Sequence, residues 1–141
     1  MLMKSFSEVN IGDKVNFSKT ITESDAALYM ATTGDFGPIH INEAYAKTTM
    51  FQGRLAPGIM VAGMATSVLT DQLVGLKGVS IEDTFYFLGG VKYGDTVYVE
   101  VKVVDKIIEK RIVVWEAVFE NQDKKVVLKI SAKLKFPREK A

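Results

Sequence analysis

Gly58-Ile59-Met60-Val61-Ala62-Gly63-Met64-Ala65-Thr66-Ser67-Val68-Leu69-Thr70 contains no charged residue, and its apolar side chains fall on more than one side of a helical wheel. That pattern predicts a helix buried almost all round. Gly63, Ala62 and Ala65 are small enough for another backbone to approach closely, as when a helix lies inside the curve of a sheet. The chain supplies the sheet downstream. Val97, Val99, Val101 and Val103 alternate with Tyr98, Glu100 and Lys102, and Val113, Trp115, Ala117 and Phe119 repeat the pattern. In the last run Val126, Leu128, Ile130, Ala132, Leu134 and Phe136 alternate with Val127, Lys129, Ser131, Lys133 and Lys135. A period of two marks half-buried strands. Asn121-Gln122-Asp123-Lys124 is the turn between the last two. Val79 to Leu88 reads as one more strand, ended by Gly89-Gly90 and Tyr93-Gly94-Asp95.

Upstream, Lys14 to Ile21 suits a short strand, and Thr22-Glu23-Ser24-Asp25 has the form of a capping box with Asp in the usual Glu position. A helix should begin there and stop at Gly34, with Pro38 keeping the chain extended. Asn42 can cap a second short helix over Glu43 to Thr48. The order is strand, helices, one apolar helix, then four strands run as an antiparallel meander. It implies an α+β protein whose curved antiparallel sheet wraps a central apolar helix. No repeat, low-complexity stretch or linker interrupts the chain, so residues 1–141 are expected to form a single domain.

Composition narrows the chemistry. A net charge of +1, near balance in both halves, lacks the basic field that nucleic-acid binding requires. The absence of cysteine excludes disulfides, zinc–cysteine sites, iron–sulfur ligation and thiol nucleophiles. One histidine argues against a catalytic metal site. Met1-Leu2-Met3-Lys4-Ser5-Phe6 lacks the apolar core of a signal peptide, and no apolar run approaches the roughly 20 residues that span a bilayer. The expectation is a cytoplasmic protein that uses carboxylates, hydroxyls, backbone amides and one imidazole, with neither membrane nor nucleic-acid partners. Glycines 34 and 37 do not build G-x-G-x-x-G after a parallel strand, and neither G-K-[ST] nor G-x-S-x-G occurs.

His40 lies in Gly34-Asp35-Phe36-Gly37-Pro38-Ile39-His40, between two expected helices. The loop can aim the Asp35 carboxylate and the imidazole at one point, where they could hold a water and exchange its protons. Alternatively Asp35 is a helix cap and His40 a structural donor. Ala56-Pro57-Gly58 opens the apolar helix, whose first amides have no internal partners, so a ligand oxygen could approach Gly58 N–H closely. The same residues also suit a plain turn and helix start. Thr66 and Ser67 commonly bond a carbonyl one turn back in such a helix. The six methionines read as core gap fillers.

Taken in order, these pieces resemble the MaoC-like branch of the hotdog fold, in particular its (R)-specific enoyl-CoA hydratases. The resemblance rests on Gly34-Asp35-Phe36-Gly37-Pro38-Ile39-His40-Ile41-Asn42, on Thr48-Thr49-Met50-Phe51, on Pro57-Gly58-Ile59-Met60 and on Gly94-Asp95. Gly37 stands where the pattern has Asn, and Pro57 where His is common. The resemblance implies a sheet of about five strands round a long helix, a homodimer or multiple of one joined edge to edge, and no cofactor or metal. It implies Asp35 and His40 as the hydratase pair, Gly58 as the oxyanion-hole amide and Thr66 as a supporting hydroxyl. The expected reaction is reversible hydration of a trans-2-enoyl-CoA, or a carrier-protein thioester, to the (R)-3-hydroxyacyl product. An acyl-CoA thioesterase and a non-catalytic acyl-CoA binding module are the alternatives. The lysines of the last strand read as its solvated face, though they would also suit CoA phosphates.

Overall fold

The computed structural model describes residues 4–74 and 77–138, so Met1-Leu2-Met3 of the N-terminal reading lies outside the described residues. A short 3-10 turn, Phe6–Glu8, precedes β1 (Lys14–Thr20) and α1 (Glu23–Thr33). Then come α2 (Pro38–Ile41), α3 (Glu43–Lys47) and α4 (Gly58–Val68), which continues as a wider π turn over Leu69–Val74. Four strands follow: β2 (Val79–Phe87), β3 (Thr96–Ile107), β4 (Ile112–Glu120) and β5 (Val126–Lys135).

The helix signals act as read. The Thr22 side chain accepts from Asp25 N–H at 3.2 Å while the Asp25 carboxylate accepts from Thr22 N–H at 2.9 Å. Gly34 ends α1 at φ 76°, a left-handed conformation that glycine adopts without steric cost. Asn42 caps α3 through Tyr45 N–H at 3.0 Å. One expectation fails: Pro38 does not extend the chain but opens α2 as its first residue. A proline there forgoes an N–H that has no intrahelical partner, and the preceding Gly37 takes φ −52°, ψ 133°.

All strand pairings are antiparallel, in the order β1-β3-β4-β5-β2. The expected four-strand meander therefore holds only for β3, β4 and β5, because β2 crosses to pair with β5 at the far edge. On the inner face Val99 opposes Phe119, Val101 opposes Ala117, and Trp115 lies between Val103 and Ala132. All are buried. Each large side chain removed from water here stabilises the fold by roughly 1.5–3 kcal/mol.

The first two residues of β5 depart from its alternation, since Val127 is buried and Val126 is not. Phe119 opposes Leu128 but Glu120 opposes Val126, so Val127 is the extra residue of a bulge. Bulged strands bend and redirect side chains, and Val127 is buried although its place in the pattern puts it with the solvated lysines.

Helix α4 packs on the inner face through Val61, Ala62, Met64 and Ala65. It is not buried all round, as its composition predicted. Ile59 (50% exposed), Gly63, Thr66 and Ser67 form an uncovered stripe, because the sheet curls round one side of the helix only. A Cβ at Gly63 would meet no atom within 4 Å, so within this chain Gly63 makes room for no neighbour. No helix among the described residues is long and apolar enough to cross a membrane.

Candidate active site

Asp35 and His40 are placed by the break between α1 and α3. Asp35 Oδ1 accepts from Gly37 N–H at 3.2 Å, turning the chain into α2, and His40 N–H donates to Gly37 O at 2.9 Å. His40 therefore sits on a single helical turn rather than in an open loop. A Cβ at Gly37 would lie 3.3 Å from His40 Cδ2 and 3.4 Å from Asp35 Oδ1. A glycine here lets both groups close on the same turn.

The imidazole is fixed from one side and open on the other. His40 Nδ1 lies 2.8 Å from Leu55 O, and a carbonyl oxygen can only accept, so Nδ1 carries the hydrogen. In the neutral ring Nε2 is then the lone-pair nitrogen, 4.0 Å from Asp35 Oδ2. That gap exceeds a direct hydrogen bond. The His40 side chain is 16% exposed and that of Asp35 50%, so the imidazole is set into the protein and the carboxylate stands at its surface.

The peptide that holds the ring is itself stitched in place. Leu55 N–H donates to Ile39 O at 3.1 Å and Ala56 N–H to Val91 O at 2.7 Å. Pro57 then leads into Gly58, the first residue of α4, whose N–H has no intrahelical acceptor. His40 and Gly58 line one cavity of about 330 Å³ together with Phe51, Leu55, Phe87 and Val127. A Cβ at residue 58 would lie 2.7 Å from Phe87 Cε1, so the ring of Phe87 covers the helix start and glycine alone leaves room beneath it. Val127 O accepts from Leu88 N–H at 2.9 Å and from Gly89 N–H at 3.1 Å, which ties the end of β2 over the cavity through the β5 bulge.

The structure thus brings His40 and Gly58 to one cavity, while Asp35 lies outside its lining, 4.0 Å from the imidazole. It does not bring Thr66 there. Thr66 is exposed on the uncovered stripe, and its hydroxyl donates to Gly63 O at 2.7 Å. Ser67 donates to Met64 O in the same way. At about 1.5 Å rise per residue, Thr66 lies roughly 12 Å along the helix from Gly58. Among the described residues no three His, Asp or Glu side chains are grouped as a metal would need. Sequence reasoning missed Leu55, Phe87 and Val127. Leu55 acts through its carbonyl, which every residue has, and nothing in the sequence marks the ring or the bulge as part of the cavity.

A family model described as a MaoC like domain matches residues 6–124. The chain belongs to the MaoC-like domain family. Among its curated relatives is the (R)-specific enoyl-CoA hydratase of Rhodospirillum rubrum, 34% identical over 115 residues that cover 82% of this chain and 80% of the relative. The 3-hydroxybutyryl-CoA dehydratase of Methylorubrum extorquens is 37% identical over 106 residues, covering 75% and 68%. Among solved structures the unliganded R-hydratase PhaJ1 of Pseudomonas aeruginosa superposes with a TM-score of 0.84 at 31% identity, covering 95% of this chain and 86% of that one. The fold is the hotdog fold, and this MaoC-like chain is an enzyme of the hydro-lyase type.

Proposed function

We propose that this MaoC-like protein reversibly hydrates trans-2-enoyl-CoA to (R)-3-hydroxyacyl-CoA, acting as a single cytoplasmic domain. The observation that carries the reading is one cavity holding both His40 and the Gly58 end of α4, with Asp35 4.0 Å from the free imidazole nitrogen. The relatives named for (R)-specific enoyl-CoA hydration and 3-hydroxybutyryl-CoA dehydration support it. In this reading the thioester oxygen accepts from Gly58 N–H, and negative charge gathers on it as water adds at C3. Water bridges His40 Nε2 and the Asp35 carboxylate. Its oxygen bonds to C3, the pair takes one of its protons, and a proton from the pair completes the C2–H bond, so that one water is added overall. With Nδ1 committed to Leu55 O, every proton that the imidazole exchanges passes through Nε2. The apolar lining of the cavity keeps other water from the thioester.

Crotonyl-CoA tests the reading when followed at once by enoyl absorbance and by a thiol reagent. Hydration removes the conjugated double bond and leaves the thioester intact, so absorbance should fall without thiol. Release of thiol would identify a thioesterase instead. Tight binding with neither signal would identify a binding module.

A further inference from the structure

The turn that carries His40 has little stability of its own. Helix α2 has four residues and no side-chain cap, far below the length at which a helix persists alone. Something outside it must hold the imidazole in register. Two residues absent from the cavity lining do so. The Tyr93 hydroxyl, from the connection between β2 and β3, donates to His40 O at 2.9 Å. The Arg54 guanidinium stacks on the Tyr93 ring, 5.2 Å from its centroid. Arg54 Nε donates to Glu43 at 2.9 Å, and its Nη2 donates to Glu23. Glu23 opens α1 and Glu43 opens α3, so this stack joins both helices to the β2–β3 connection. It also sits next to Leu55, whose carbonyl holds the ring. Burial raises the Tyr93 phenol above its ordinary range, so it remains a donor at neutral pH.

We propose that Tyr93 and Arg54 are positioning residues for His40. Tyr93 fixes the peptide of His40, and Arg54 fixes the Leu55 carbonyl that selects the Nδ1–H tautomer, so that Nε2 is presented to Asp35. This rests on the reading of His40 as half of the water-handling pair, but half of its test does not. The chain has one histidine, so the imidazole signals of ¹⁵N-labelled protein belong to His40 alone. Tyr93→Phe removes the hydroxyl and keeps the ring beneath Arg54. The wild type should show a ring protonated at Nδ1, and in Tyr93→Phe the two nitrogen shifts should move towards each other as the tautomers mix. On crotonyl-CoA, kcat should fall about three- to tenfold with KM unchanged, the scale of one neutral hydrogen bond, and the thermal midpoint should fall by no more than a few degrees. Arg54→Gln should shift the same signals, with partial recovery in Arg54→Lys, which keeps the charge but not the two-sided grip. An unchanged imidazole spectrum in Tyr93→Phe overturns the proposal, as does an unchanged kcat. If the wild type does not hydrate crotonyl-CoA, the hydratase reading alone fails and the spectrum still decides the positioning.

Discussion

Asp35 stands half in solvent while His40 is set into the protein, so substitutions of the two should differ in stability though not in activity. Asp35→Asn keeps an oxygen to accept from Gly37 N–H. It should leave thermal unfolding close to wild type and slow turnover by roughly 10² to 10⁴, the range for a lost acid or base. His40→Ala should slow turnover comparably in the same assay, but calorimetry should show about 1 kcal/mol of lost stability, because Leu55 O loses its donor. Thr66→Ala should cost less activity than either. The amide of Gly58 needs a paired design. Gly58→Pro deletes the N–H at a position that tolerates proline, yet the added ring atoms would meet Phe87, whose Cε1 would lie only 2.7 Å from a Cβ at that residue. Made in a Phe87→Leu background and compared with Phe87→Leu alone, it should lower kcat by roughly 10² to 10³, the scale of one lost oxyanion donor. The spacing of Asp35 and His40 was readable in the sequence. The ring's anchor was not, since a carbonyl carries no side-chain signature.

The capping box of α1 is the element whose energetics follow most directly from its residues. Hydrogen bonding to Lys19, then to Thr22, holds the Asp25 carboxyl below its ordinary value despite partial burial. A carboxyl depressed in the folded state contributes stability that is present above its unfolded value and lost as pH falls through the folded one. Asp25→Asn should therefore cost about 1 kcal/mol near neutrality, and less at strongly acidic pH, where the native carboxyl is itself protonated. Chemical denaturation at neutral and acidic pH measures the difference. Other elements were legible only in part. The composition of α4 announced a buried helix but could not say that one stripe would be left uncovered by its own sheet. The alternation of β5 was correct except at Val126 and Val127, because a bulge depends on how two strands are registered and not on the residues of either.

At the scale of the molecule, the sheet ends at β1 on one side and β2 on the other. All 9 residues of β2 are exposed in the isolated chain, with Ile81, Tyr86 and Phe87 each more than half so. An exposed edge with apolar side chains is a template for pairing. The proposed assembly is a homodimer, or a multiple of one, joined edge to edge along this strand. Light scattering at micromolar concentration should give at least twice the mass of the 15.6 kDa chain, and a stable monomer would contradict the assembly.

The sequence by itself determined every strand and every helix but α2, and most of their inward faces, because the periods of helix and strand are local properties and a cap or a left-handed glycine acts within one turn. It also offered candidates for acid–base work, one imidazole with a carboxylate five positions before it. Only the tertiary structure decided that β2 crosses to β5, that Val127 turns inward and Phe87 covers Gly58, and that Leu55 O selects the imidazole tautomer. These are contacts between segments far apart in the chain. They depend on strand register and on where one backbone passes another, and no window of residues encodes either.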